Sequence, residues 1–294
     1  MNSLQTICHR AKNKPIDQKW EIGFLDVCID DLLSGRPYNI SVIQHHYTQG
    51  WFADPFVLDV TDDKIFLLVE EWHYVNRRGR ISRLTIDRKT YALLEVIPLL
   101  QLKSHLSFPA IQRIGEDVFV YPENAKGKGL VMYHYNKQSE TLDECGVLTV
   151  MPLLDAIITR GFGPEYVFAT TLNNPSRQLR WFEIVEGKAI ERGIIPFADA
   201  TARNAGDWFV RNGKVYRPAQ NCNLSYGGSM ILQEVTFSEG TLNFKDIVSI
   251  DTTSKRYNTG CHTLNQYKDV CVVDVHGYKY PIVAKIWNIL THKK

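Results

Sequence analysis

Short apolar runs of four or five residues alternate with polar and turn-forming residues along most of the chain, and helical periodicity is absent before the last fifteen positions. This pattern predicts an all-β protein. Five hairpins share one layout: a polar marker, an apolar strand, a turn about eight residues on, and a return strand ending in polar residues. The first starts at Asp54, turns at Asp62-Asp63 and returns through Ile65 to Val69, ending at Glu70 and Glu71. Ser107 opens the second, which turns at Gly115-Glu116 and ends at Pro122-Glu123. Asp155 opens the third. Arg203-Asn204 precedes the fourth, which turns at Asn212-Gly213 and returns to Arg217-Pro218-Ala219-Gln220. The fifth begins at His262, turns at Lys268-Asp269 and ends at Asp274 and His276.

The markers Asp54, Ser107, Asp155, Asn204 and His262 stand 53, 48, 49 and 58 residues apart, close to the roughly 40–50 residues of a four-stranded propeller blade. A five-bladed β-propeller over residues 20–280 is therefore expected, with an N-terminal extension over 1–19. An irregular β-sandwich with coincidental spacing is the alternative. Trp20 to Phe24 are expected to join the last blade, because a circular array of sheets otherwise leaves its ends unpaired. Residues 281–294 read as a short amphipathic helix, apolar at 282, 283, 286, 289 and 290 and ending in His292-Lys293-Lys294. Such a helix suits docking on the propeller or a peripheral contact with the inner face of a membrane.

The innermost strands of a propeller all run the same way along its axis, so their starts collect at one mouth, and the antiparallel second strands end there. Asp54, Glu70 or Glu71, His105, Ser107, Glu123, Asp155, Arg203, Arg217, Gln220 and His262 are thus expected to face one axial pocket. Glu70 and Glu71 are adjacent and point to opposite faces of a strand, so only one of them belongs there. Each residue also has a plain structural reading. Asp54 before Pro55 suits a turn, Glu123 a salt bridge at a blade rim, and His105 and His262 a satisfied core. Arg203 and Arg217 suit either an anion clamp or neutralisation of the pocket's own acids.

The balance of 34 Lys+Arg against 32 Asp+Glu gives a net charge of +2, which excludes a global field for a nucleic acid polymer. With 44% hydrophobic and 22% charged residues, the chain can bury a core. Six cysteines without a C-x-x-C pair or zinc spacing predict reduced thiols and no metal. No nucleotide-binding P-loop, nucleophile-elbow or zinc-protease motif is present, and no cofactor is expected. The polar stretch Met1 to Lys14 and the lack of any run near ~18 apolar residues lead to an expected cytoplasmic location.

The strings Phe52-Ala53-Asp54-Pro55-Phe56, Val69-Glu70-Glu71, His105-Leu106-Ser107-Phe108-Pro109, Pro122-Glu123, Arg217-Pro218-Ala219-Gln220, Tyr226-Gly227 and His262-Thr263 resemble the N-terminal propeller domain of glucosamine inositolphosphorylceramide transferases. The resemblance spans roughly Trp20 to Tyr280. That domain is similar in turn to the five-bladed glycoside hydrolase family 43 clan, in which an Asp-Pro in the first blade marks a catalytic carboxylate. The resemblance implies carbohydrate chemistry, with Asp54 matching the general base and Asp155 the acid that tunes the others. It departs in the fourth blade, where the hydrolases carry an acidic glutamate and this sequence has Arg203, Arg217 and Gln220. Glu123, on the second blade, is the remaining acid candidate. Asp54, Glu123 and Asp155 are therefore the expected catalytic residues, with Glu70, His105, Ser107, Arg203, Arg217, Gln220 and His262 binding substrate. The expected activity is glycosyl-group transfer in surface polysaccharide or glycolipid biosynthesis. The partners would be a sugar donor, nucleotide-activated or not, and a glycan or lipid-linked acceptor. Family 43 type hydrolysis and sugar binding without turnover are the alternatives.

Overall fold

The computed structural model describes residues 18–238, 241–280 and 282–283. Its strands form five sheets of four, each antiparallel throughout. Blade one is β3 (Gly50–Val60), β4 (Lys64–His73), β5 (Arg78–Asp87) and β6 (Leu93–Leu100). Blade two is β7 (Ser107–Ile114), β8 (Asp117–Glu123), β9 (Leu130–Asn136) and β10 (Thr141–Thr149). Blade three is β11 (Leu153–Thr159), β12 (Tyr166–Thr171), β13 (Gln178–Val185) and β14 (Lys188–Pro196). Blade four is β15 (Phe209–Arg211), β16 (Lys214–Asn221), β17 (Ser229–Ser238) and β18 (Thr241–Ile250).

Blade five mixes the two ends of the described chain. Its inner strands are β19 (Leu264–Tyr267) and β20 (Val270–Tyr278), and its outer ones are β1 (Gln18–Leu25) and β2 (Ile40–Val42). Gln18 pairs with Tyr278 and Phe24 with Val272, so β1 completes the ring as expected, beginning two residues before the expected boundary at 20. The link from β1 to β2 carries a short helix, α1 (Ile29–Leu33), that the periodicity did not show. It buries only Ile29 and Leu32 and stops at Gly35, whose φ is +78°. Of the expected helix over 281–294, Ile282 and Val283 are described and exposed, and the rest lies outside the described residues.

The core fills the wedges between blades. Phe56, Phe108, Ile157, Phe168 and Trp208 belong to a cluster linking blades one to four. Ile22, Phe24, Phe52, Leu67 and Val272 close the wedge between blades five and one. The five cysteines among the described residues are unpaired.

The innermost strands of the first three blades share one irregularity. Pairing skips between Ala53 and Phe56, between Ser107 and Ala110, and between Leu154 and Ile157. At each skip a residue adopts positive φ: Asp54 at 50°, Phe108 at 45° and Asp155 at 47°. A non-glycine residue there costs about 1–3 kcal/mol and persists where its surroundings hold it. The equivalent of Asp54 in blade two is thus Phe108, one residue beyond the expected marker Ser107.

Candidate functional site

The three bulges turn backbone N–H groups toward the neighbouring blade, and a carboxylate meets each one. Asp274 of β20 accepts from Asp54 N at 3.1 Å, Asp54 accepts from Phe108 N at 3.0 Å, and Glu123 accepts from Asp155 N at 3.1 Å. Asp155 then grips Arg203, ahead of blade four, through Nε at 2.7 Å and Nη2 at 3.0 Å. Around the axis, each acid hands a bond to the next blade. The carboxylates that the sequence marked as catalytic therefore also staple the ring and offset the strain of its bulges.

Asp54, Glu123 and Asp155 come together as expected. Asp54 is 5% exposed and also accepts from Thr263 Oγ1 at 2.9 Å, with His262 Nε2 at 3.7 Å. Burial raises its pKa against the pull of His262, and the Asp274 and Asp155 charges push the same way as burial. Burial and the Asp155 charge push Glu123 up to about 8, so it carries a proton at neutral pH. Glu70 is pushed well above the carboxylate range by burial and by Asp54, Glu123 and Asp274. It is the residue of its pair that faces the axial acids. Glu71 turns to the other face, where Arg80, Ser82 and Tyr47 bond to it.

His105 reaches Glu70, Nε2 to Oε1 being 3.5 Å, while its Nδ1 accepts the Gly79 N–H at 2.8 Å. Burial and the Lys126 charge lower its pKa. A Cβ on Gly79 would sit 2.2 Å from Leu106 O and 2.7 Å from both Glu70 and His105, so only glycine lets these segments meet. Ser107 is buried at the start of β7, opposite Glu123 in the ladder.

His262 is buried between Asp54 and Asp274, with Nδ1 2.7 Å from Asp274 Oδ2. Burial alone would lower its pKa, but Asp274 and Asp54 outweigh that and raise it. Asp274 is held below its usual range because the His262 charge and donated N–H groups outweigh its own burial. Trp20 stacks between the rings of His262 and His276, with centroids at 3.9 and 4.3 Å.

Two expected binding residues stand elsewhere. Arg217 is fully buried, and its guanidinium bonds to Asn204 Oδ1, Gln233 Oε1 and Ala202 O while lying near the rings of Phe197, Trp208 and Phe244. It braces the interior of blade four, and burial lowers its pKa to about 9. It does not form an anion clamp with Arg203. Gln220, 1% exposed, donates to Asn204 O and serves the same brace. Arg203 does reach the site, where Asp155 outweighs burial and holds it strongly charged. Its Nε and Nη2 neutralise Asp155, and its guanidinium carbon lies 5.0 Å from the Tyr226 ring centroid.

Asp274, Thr263, Trp20 and Tyr226 also stand in the site, beyond the residues expected there from the sequence. Asp274 carried a visible signal, a strand-end acid in the fifth hairpin. Trp20 carried none, since only ring closure pairs β1 with β20 and sets the Trp20 ring against His262. Asp54, His262 and Asp274 also place possible ligand atoms within 4.8 Å of one another. Asp274 already receives N–H groups from Asp54, His262 and Thr263 besides the His262 ring, so a cation there would have to displace those bonds.

The chain is 29% identical over 203 residues to glucosamine inositolphosphorylceramide transferase 1 of Oryza sativa subsp. indica, and 28% identical to that of subsp. japonica. Each match covers 64% of this chain but 27% of the relative, so the chain aligns with only about a quarter of those proteins. Among solved structures it is similar to a family 43 β-xylosidase/α-arabinofuranosidase from a compost microbial metagenome, with a TM-score of 0.52 and 9% identity over 80% of this chain and 93% of that one. A family 32 β-fructofuranosidase of Bombyx mori gives a TM-score of 0.51 at 9% identity, covering 71% of this chain and 53% of that one. These structural likenesses establish the five-bladed fold. Residues 39–275 match the family described as glucosamine inositolphosphorylceramide transferase 1, N-terminal, and the chain belongs to that family.

Proposed function

We propose that the protein transfers a glycosyl group during assembly of a surface glycan or glycolipid, with the reaction at the axial cluster. The observation that carries this reading is the convergence of Glu123, Asp54 and the Asp155–Arg203 pair on one axis, where burial and the Asp155 charge push Glu123 up to about 8. A proton donor and a proton acceptor on one axis are the two parts that glycosyl chemistry needs. Asp54 takes the proton of the acceptor hydroxyl as its oxygen bonds to the anomeric carbon. The bond to the leaving oxygen breaks, and Glu123 gives that oxygen its proton. Asp155 and Arg203 are positioning residues that hold Glu123 and the third blade in register.

Family membership supports transfer, although the chain spans only part of its relatives. The fourth hairpin and its lead-in offer Arg203, Arg217 and Gln220 where a family 43 hydrolase would carry its acid, which disfavours hydrolysis. The donor, nucleotide-activated or not, a lipid-linked acceptor, membrane contact through 281–294 and a cytoplasmic location belong to the same proposal. The test is to incubate the purified chain with nucleotide-sugar and aryl-glycoside panels. Donor consumption that depends on an added acceptor is expected. Release of free sugar would replace transfer by hydrolysis, and saturable binding without turnover would replace catalysis by recognition.

A further inference from the structure

A cleft of about 670 Å³ opens between blades one and two, beside the axial cluster. It is lined by the β4–β5 turn, the segment leading into β7 and the loop after β8. Five cations face it: Arg77, Arg78, Lys103, Lys126 and Lys128. Its one acid, Glu144, is already bonded to Lys128. None of the other four cations has an ion-pair partner among the described residues. A net charge of +2 over the whole chain makes such a local excess stand out.

Two buried polar atoms in the same walls lack a hydrogen-bond partner: Arg78 Nε and Asn124 Oδ1. Asn124 is only 4% exposed, so its acceptor has given up water without gaining a partner, which is unfavourable. The loop keeps this side chain close, for a Cβ on Gly127 would lie 2.2 Å from Asn124 Oδ1. The cleft thus combines donors and positive charge with one orphan acceptor packed against Gly127 within its wall. Inorganic phosphate would satisfy the cations but keeps its P–OH among them, whereas a phosphorylated sugar supplies anionic oxygens for the cations and a separate hydroxyl that can extend to Asn124. His105 lines the cleft and touches Glu70, so it forms the wall between this space and the axial acids.

We propose that the cleft between blades one and two binds the phosphoryl group of a phosphorylated glycan, with a sugar hydroxyl donated to Asn124. That the sugar then points past His105 toward Glu123 rests on the transfer reading; binding in the cleft does not.

The test is calorimetric titration of the full chain with glucose-1-phosphate, inorganic phosphate and glucose, alongside flotation on phosphatidylcholine vesicles with and without phosphatidylinositol. Glucose-1-phosphate is expected to bind more tightly than inorganic phosphate, and glucose not at all. Combining Arg77→Glu with Lys126→Glu, both exposed, should weaken glucose-1-phosphate about tenfold or more. Asn124→Ala should bring its affinity down to that of inorganic phosphate. Flotation that needs phosphatidylinositol and is lost in the double variant assigns the phosphoryl group to a lipid headgroup; soluble binding alone assigns it to a free sugar phosphate. Unchanged binding in a double variant that still unfolds cooperatively would overturn the site, as would equal affinity for glucose. Glu123→Gln separates this proposal from the transfer reading, since it should abolish turnover and leave glucose-1-phosphate binding intact.

Discussion

Asp54 has two tasks that differ in what they ask of its side chain. As a staple it accepts from Phe108 N and Thr263 Oγ1, which an amide oxygen can also do in part. As a base it needs a carboxylate. Asp54→Asn is therefore expected to fold with a modest loss of stability and to lose turnover, whereas Asp54→Ala should lose both. Thermal unfolding read beside product formation checks this, and an active Asp54→Asn would end its assignment as the base. Glu123 gives a pH signature. Its pKa in the fold lies above the unfolded value, so its contribution to stability is fully present below the ordinary carboxylate range and lost as pH rises toward about 8. Urea unfolding across that window should show the native protein losing stability more steeply than Glu123→Gln. Equal slopes would place the proton on another group.

At the scale of elements, the fold was legible because the hairpin turns and apolar strands obey local rules. Asn212 and Gly213, both at positive φ, form the kind of turn their dipeptide predicts. The site was less legible. Ser107 looked like the counterpart of Asp54, but an apolar residue, Phe108, occupies the bulge because the requirement there is on the backbone. Arg217 reads in the sequence as a strand end like the true site residues, yet β16 runs on to Asn221 and the Arg217 side chain turns between sheets, where Asn204 and Gln233 await it. Strand alternation fixes the face of a residue only once the register is known, and a bulge shifts that register. Arg217→Ala should then cost about 3–5 kcal/mol, since it leaves buried polar partners unmatched. Denaturant unfolding measures this. Substrate affinity of the folded fraction should not move, and a specific loss of affinity would return Arg217 to the binding site.

For the whole molecule, the ring depends on one seam between distant parts of the chain. Removing residues 1–25 would strip β1 from β20, leave Val272 and its neighbours uncovered and present an unpaired edge. Loss of cooperative unfolding and self-association by size-exclusion chromatography are expected. A monomeric truncated protein with native stability would mean that blade five stands without its N-terminal strand.

That seam also sets an order of events during synthesis. The strand carrying Ile22 and Phe24 is translated long before its partner, so the nascent polypeptide must carry it as a sticky, unmatched segment until blade five emerges. Four blades can assemble as an open arc in the meantime, but the acid from β20 that tethers Asp54 arrives last. Competence for chemistry and completion of the circle are therefore gained in the same late step.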